Sequence, residues 1–322
     1  MITITGRNVN DIFPVGLMII REQGVLQPSR NGATLELPQP FSIQYQCPLE
    51  NVLFDPVRRI NPFLHFFEPL WILAGRDDVK FMKAILPSFI DYSDDGIRFY
   101  GAYGHRMRAC TDQVAHAILN FRKNKEDRRN VLAIRQGHDI TYTGRDMPCN
   151  VSVALLIRDN KLHIHVFNRS NDYLWGMLGT NAVQFAVLME YIAGYVGCDV
   201  GSYHQTSNCA HVYVDSELWK LTKDTSLIVQ DPYAEREVYH YPMMNDPEGF
   251  EWDLEKFFSE FDFGVHMQDG LLYCTTYFRE VVVPMWNTLL AHRTAKEGLD
   301  YVEDVRASDW YLVTKRWLEE KK

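Results

Sequence analysis

The chain is short of cysteine, of positive charge and of long apolar runs, and each shortage removes a class of explanation. Six cysteines in 322 residues (Cys47, Cys110, Cys149, Cys198, Cys209 and Cys274) are too sparse for a disulfide framework, and none forms a CxxC pair. Lys and Arg number 33 against 42 Asp and Glu, a formal charge of −9, so no general attraction to nucleic acid or anionic lipid is expected. A bound phosphate would have to be gripped by a few locally gathered arginines. The longest apolar stretch, Val183 to Val196, carries Gln184 and Glu190 and is too short for a membrane span. The opening Met-Ile-Thr-Ile-Thr-Gly-Arg lacks the apolar core of a signal peptide. A soluble, cytoplasmic protein with no nucleic-acid or membrane partner is the expectation. Internal repeats, low-complexity tracts, Gly/Ser/Pro-rich linkers and a Gly-rich phosphate loop are missing too, so residues 1–322 read as one domain. Apolar residues make up 46% of the chain, and this length suffices to bury about 75% of the unfolded surface.

The first 60 residues read as short extended pieces broken by Pro14, Pro28, Pro38, Pro40, Pro48 and Pro56. Asn61 to Gly75 predicts a helix, with Phe63, Phe66, Phe67, Leu70, Trp71 and Leu73 on a wide apolar face. A second helix is expected from Thr111 to Lys123, and a short strand from Val131 to Ile134. Val151 to Ile157 and Leu162 to Phe167 form a hairpin pattern across the polar turn Arg158-Asp159-Asn160-Lys161. Thr180 to Tyr195 predicts an apolar helix stopped by Gly197. Val200 to Tyr213 and Ser226 to Val229 look extended, and Ala307 to Lys322 looks like an amphipathic helix. Strands and helices alternate without a βαβ rhythm, so the fold class expected is α+β, a mixed β-sheet layered with helices.

Met147-Pro148-Cys149-Asn150 stands just before an apolar strand. A cysteine there, with arginines close in sequence, could hold a lowered pKa and act as a nucleophile, although a buried structural thiol fits the same pattern. Arg128-Arg129 and Asn168-Arg169-Ser170 are the basic clusters, suited to a phosphate or carboxylate because each guanidinium presents a planar fork of donors. The first pair also suits a solvated turn, whereas Arg169 ends an apolar strand where a charge needs a partner. His163 and His165 alternate on one strand face, but no further ligand lies at a supporting interval, so no metal is expected. Asp172 and Asn181 flank the start of the apolar helix, as hydrogen-bonded caps or as groups that read a ligand.

In their order and spacing these residues resemble the thymidylate synthase and pyrimidine nucleotide hydroxymethylase superfamily. Pro148-Cys149 is similar to the family's nucleophile motif. Arg169-Ser170-x-Asp172, followed by Gly176 and Asn181, resembles its RS-x-D…G…N segment, and His211-Val212-Tyr213 its H-x-Y. Upstream, Arg128-Arg129 resembles its paired arginines and Glu68-Pro69-Leu70-Trp71-Ile72-Leu73-Ala74-Gly75 its E-L-x-W-F-L-x-G helix. Tyr103-Gly104 is similar to its V-Y-G turn and Arg30-Asn31-Gly32 to its R-T-G loop. The likeness spans about residues 28–215, is strongest over 148–213 and fades beyond about 230.

The resemblance implies a thymidylate synthase-like fold and one-carbon transfer from 5,10-methylenetetrahydrofolate, a co-substrate, to C5 of a pyrimidine deoxynucleotide monophosphate. Cys149 would add to C6, and Glu68, Asn150 and Tyr103 would complete the catalytic set. The 5′-phosphate would be held by Arg30, Arg169 and Ser170, with Arg128 and Arg129 reaching over from the other subunit of a homodimer. Asn181 would pair with the base, His211 and Tyr213 with the sugar, and Asp172 with the folate. Departures from the family pattern bear on the product. Asn150 stands where His is usual, Asn181 aligns only with one residue inserted after Gly176, Phe89 to Ser93 lacks the tryptophans of methyl-forming members, and Leu318 to Lys322 is no apolar closing tail. Shielding from water favours methyl and admission of water favours hydroxymethyl, so a hydroxymethyl product is expected, with methylation of dUMP to dTMP or hydroxymethylation of dCMP or CMP the alternatives. An amide at 181 points to dUMP over dCMP or CMP. A Cys149 hydrolase using His204 or His211 would leave the arginine clusters unexplained, and a catalytically dead relative would not need Cys149, Arg169, Asp172, His211 and Tyr213 together.

Overall fold

The computed structural model describes residues 1–223, 231–265, 270–294 and 297–321. Among the described residues the strands are β1 Ile2–Gly6, β2 Val25–Ser29, β3 Gly32–Glu36, β4 Phe41–Tyr45, β5 Val131–Ala133, β6 Asn150–Arg158, β7 Lys161–Asn168, β8 Asn171–Asp172, β9 Asp199–Ser207 and β10 Ala210–Tyr213. The α-helices are α1 Val9–Gln23, α2 Pro62–Leu73, α3 Val79–Ile85, α4 Tyr103–Arg108, α5 Gln113–Lys123 and α6 Asn181–Val196. They continue with α7 Glu217–Lys223, α8 Pro247–Phe263, α9 Val283–Thr294, α10 Gly298–Tyr301 and α11 Ser308–Glu319. The strands form a six-stranded sheet in the order β1-β4-β9-β7-β6-β5 and a four-stranded sheet in the order β2-β3-β10-β8. Helices cover one face of the larger sheet, and the fold is α+β.

Alternation decides which face is covered. Val153, Leu155, Ile157, Leu162, Ile164, Val166 and Tyr203 point inward and are buried, while His163, His165, His204 and Phe167 fall at the intervening positions on the other face. The inward residues pack with α2 and α6 into one apolar core. Asp159 and Asn160 take positive φ (50° and 56°), as the expected two-residue hairpin turn between β6 and β7 requires. Helix α2 starts at an Asn61 cap that accepts from the Phe63 and Leu64 amides, and α6 stops at Gly197 in the left-handed region (φ 69°).

Two expectations need correction. The segment of short extended pieces contains a 15-residue helix, α1, with Pro14 inside it. Asn8 caps it, accepting from the Asn10 and Asp11 amides, and Ile12, Phe13, Leu17 and Ile20 supply a buried stripe that outweighs the lost proline hydrogen bond. The extended stretch Val200 to Tyr213 is two strands in two different sheets, parted at Asn208 and Cys209. Ser226 to Val229 lies outside the described residues.

Candidate active site

Cys149 sits where β6 begins, half-buried, and a register shift between Asn150 and Ser152 re-aims the strand immediately after it. Arg169, at the end of β7, braces this entrance. Its backbone amide donates to the Cys149 carbonyl at 3.0 Å, its Nε to the Pro148 carbonyl at 3.0 Å and its Nη2 to the Met147 carbonyl at 3.0 Å. The same Nη2 lies 3.6 Å from the Cys149 sulfur. Arg30, in the β2–β3 turn, donates to the Arg145 carbonyl at 2.9 Å and adds positive charge near the thiol.

The expected lowering of the thiol pKa is not what this arrangement produces. Burial pushes the Cys149 thiol up, Arg169 and Arg30 pull it down, and the Asp146 carboxylate pushes it up again. Burial is the largest of these influences, so the net direction is upward. Asp146 accepts from the Gly101 amide at 3.1 Å and is itself raised to about 6, mainly by burial.

Behind the thiol lie Tyr103 and Glu68. Burial holds the Tyr103 hydroxyl strongly protonated, with the Cys149 and Glu68 charges adding to the effect and an Asn150 hydrogen bond opposing it. Glu68 is buried in α2, and its Oε2 has no hydrogen-bond partner among the described residues. Burial raises its pKa to about 7 against the opposing hydrogen bond from Gln184. A carboxyl poised there can take and return protons near neutral pH.

The smaller sheet gathers the remaining residues. In β10, His211 stands opposite Asp172 of β8 and Glu36 of β3, and Tyr213 opposite Thr34. The His211 and Tyr213 rings meet edge to face at 5.2 Å. Asp172 caps the turn that follows, accepting from the Leu174 and Trp175 amides at 2.8 and 3.1 Å. Burial raises its pKa, the Trp175 amide and His211 opposing. Ser170 reaches Cys209, whose thiol is raised to about 11 by burial and Glu36. Tyr92, 55% exposed, stands within the electrostatic reach of Asp172 and Tyr213.

Tyr173–Thr180 is a π-helical turn with a kink at Gly179, a geometry that accommodates an extra residue ahead of α6. Asn181 therefore points inward, its Oδ1 3.5 Å from Asn150 Nδ2 and its Nδ2 3.3 Å from Asn171 Oδ1. Gly179 is demanded by closeness, since a Cβ there would come within 3.0 Å of Arg58 Nη2.

Not every predicted residue joins this cluster. Arg128 and Arg129 lie on the surface, and Arg129 is 87% exposed and paired with Asp127 at 2.7 Å. His204 bonds Ser202 at 2.9 Å, and the His211 Nδ1 faces Cys209 at 3.9 Å, so neither forms a dyad with Cys149. Among residues the sequence reading passed over, Arg58 is fully buried, lies over the Trp175 ring at 5.1 Å, and has its pKa lowered to about 10 by burial despite the Asp172 charge. Its only sequence signal was an arginine pair ten residues before Glu68. Asp146 was visible three residues before Cys149, but nothing local marked it as buried. A groove of about 320 Å³ between residues 53–60 and α11, bordered by Phe54, Arg59 and Trp317, contains none of the predicted site residues.

A thiol braced by an arginine, a buried near-neutral carboxyl and a cluster of buried amides are thus brought together at one end of the larger sheet. The thymidylate synthase family model matches residues 17–245, and the chain belongs to that family. It is 36% identical to a deoxyuridylate hydroxymethyltransferase of Pseudomonas phage M6, over 100% of this chain and 95% of that protein. It is 33% identical to the deoxyuridylate hydroxymethyltransferase of Bacillus phage SP01, over 70% of this chain and 62% of that protein. That of Delftia phage PhiW-14 is also 33% identical, over 65% of this chain and 62% of that protein.

Proposed function

We propose that the protein hydroxymethylates dUMP at C5, with 5,10-methylenetetrahydrofolate supplying the one-carbon unit. The observation that carries this reading is the end-to-end likeness to the Pseudomonas phage M6 hydroxymethyltransferase, combined with Cys149 held against Arg169. The Cys149 thiolate adds to C6 of the ring, and the electron pair displaced to C5 forms the new bond to the one-carbon unit. Loss of the C5 proton and departure of tetrahydrofolate leave an exocyclic methylene. Water adds its oxygen there and loses a proton, and expulsion of Cys149 restores the ring as 5-hydroxymethyl-dUMP. Glu68 and Tyr103 handle protons on one side of the thiol, and Asn150 fixes the amide that reads the base. Arg30, Arg169 and Ser170 hold the phosphate. Binding a dianion there adds negative charge near the sulfur, which the two guanidiniums offset. His211 and Tyr213 receive the sugar hydroxyl. Asp172, Trp175 and Tyr92 supply a carboxylate beside aromatic faces, a donor set that fits a pterin.

The homodimer belongs to the same proposal. Leu156 and Phe167 are exposed on the uncovered face of the larger sheet, a surface available to a second copy. Arg128 and Arg129 then serve the partner's phosphate site. The six free thiols suit a reducing, cytoplasmic setting. The test combines the protein with 5-fluoro-dUMP and methylenetetrahydrofolate under denaturing mass spectrometry, then with dUMP under product analysis. A ternary adduct on Cys149 and 5-hydroxymethyl-dUMP are expected. Formation of dTMP with stoichiometric dihydrofolate would overturn the product assignment.

A further inference from the structure

Five buried amides link hand to hand through the base-reading position. Asn168 Nδ2 donates to Asn150 Oδ1, and Asn150 Nδ2 to Asn181 Oδ1 at 3.5 Å. Asn181 Nδ2 then donates to Asn171 Oδ1 at 3.3 Å, and Asn171 Nδ2 to Gln205 Oε1 at 3.0 Å. Gln205 Nε2 ends the series on the Met177 carbonyl at 3.1 Å. Asn150, Asn168, Asn171, Asn181 and Gln205 are all buried. Every link runs in one direction, and the terminus explains why. A backbone carbonyl only accepts, so Gln205 must turn its nitrogen toward Met177 and its oxygen toward Asn171. Each neighbour is then fixed in turn. At the opposite end the Asn168 Oδ1 is buried without a partner among the described residues, so reversal would place a donor there and set two oxygens against each other at Met177.

Direction matters because an amide is a two-faced reader. Uracil offers a donor at N3 and an acceptor at O4, and cytosine offers the reverse. An amide at 181 favours uracil only while its oxygen is held toward N3 and its nitrogen toward O4; turned over, it would match cytosine instead. With C6 tied to Cys149 and the phosphate to Arg169, the base cannot turn over to compensate. We propose that this one-way amide relay, anchored on the Met177 carbonyl, locks Asn181 in a single orientation and thereby sets the choice between uracil and cytosine. Asn171 and Gln205 are its positioning residues. The inference rests on the dUMP reading above and adds residues that never touch the nucleotide.

The test measures the Kd of dUMP and dCMP for parent and variants, with no folate present. Asn171→Ala removes the acceptor that holds Asn181 Nδ2, and Gln205→Leu, close to the parent in volume, removes the anchor. Both are expected to lower the dUMP-over-dCMP ratio by about tenfold or more, mostly through tighter dCMP binding. Asn171→Asp can only accept, so it keeps Asn181 in place and retains most of the parent ratio. The relay is overturned if Asn171→Ala and Gln205→Leu bind dUMP and keep the parent ratio, or if Asn171→Asp loses as much as Asn171→Ala. A parent protein that does not prefer dUMP would instead overturn the base assignment made above.

Discussion

At Cys149 burial and the Asp146 carboxylate push the thiol pKa up while Arg169 and Arg30 pull it down, so single charges bear on the thiol. Removing the carboxylate in Asp146→Asn leaves burial opposed by Arg169 and Arg30 alone, so the thiol pKa should fall. The expected result is iodoacetamide alkylation of Cys149 whose pH midpoint moves down, and a midpoint that stays put or rises contradicts the assignment. Cys149→Ser should abolish the 5-fluoro-dUMP adduct while dUMP affinity changes by less than about threefold, because the phosphate and base contacts are untouched. Glu68 gives a stability signature of opposite use to its chemistry. Its pKa, raised from 4.5 to about 7, means the folded protein holds a proton that the unfolded chain gives up. The associated stability is complete below about pH 4 and is lost as pH rises through 7, a change of about 3 kcal/mol at most. Urea denaturation of Glu68→Gln should therefore match the parent at pH 4 and exceed it at pH 8, with activity lost.

At the level of elements, the site depends on close approaches that tolerate no added atom. A Cβ on Gly104 would meet the Ile72 carbonyl at 2.2 Å, where α4 crosses the end of α2. Gly104→Ala should push the two helices apart, costing about 1–3 kcal/mol and displacing Tyr103 from Asn150. A lowered Tm together with slower adduct formation is the expected pair, and an unchanged Tm would show that the helices part freely. Helix α2 shows how local signals survive in the structure. Its capping asparagine, its proline at the first turn and its apolar residues all agree, and Pro62–Leu73 falls inside the range read from the sequence. Helix α1 shows the limit. Pro14 carries a strong local signal against helix, and only the packing of Ile12, Phe13 and Leu17 into the core overrides it.

For the whole molecule, the decisive question is whether two chains share a site. Arg128 and Arg129 are surface residues of the single chain, and the proposed dimer would bring them to the partner's phosphate site. Mixing Cys149→Ser chains with Arg128→Ala/Arg129→Ala chains should restore activity to about a quarter of the parent value, since half the dimers are mixed and one site in each is intact. No recovery after exchange of subunits would place each site within one chain. The uncovered sheet face also predicts that a charge at Phe167, as Phe167→Asp, yields monomers in sedimentation while leaving the fold's circular dichroism unchanged.

Local sequence was enough to pick out the candidate reacting groups. A cysteine after proline, an arginine-serine-x-aspartate run and a histidine-x-tyrosine pair are chemistry written at fixed short intervals, and so are the periodicities of α2, α5, β6, β7 and α6. Their protonation and surroundings follow from packing in three dimensions. Burial, which no local pattern encodes, raised the Cys149 thiol instead of lowering it and brought Glu68 to about 7, and packing set the Asp146 carboxylate within reach of that thiol. It also joined Asn150, Asn171, Asn181 and Gln205, residues up to 55 positions apart, into one directed series. Desolvation and hydrogen-bond direction depend on what surrounds a group in space, and that is fixed when the sheets close against the helices.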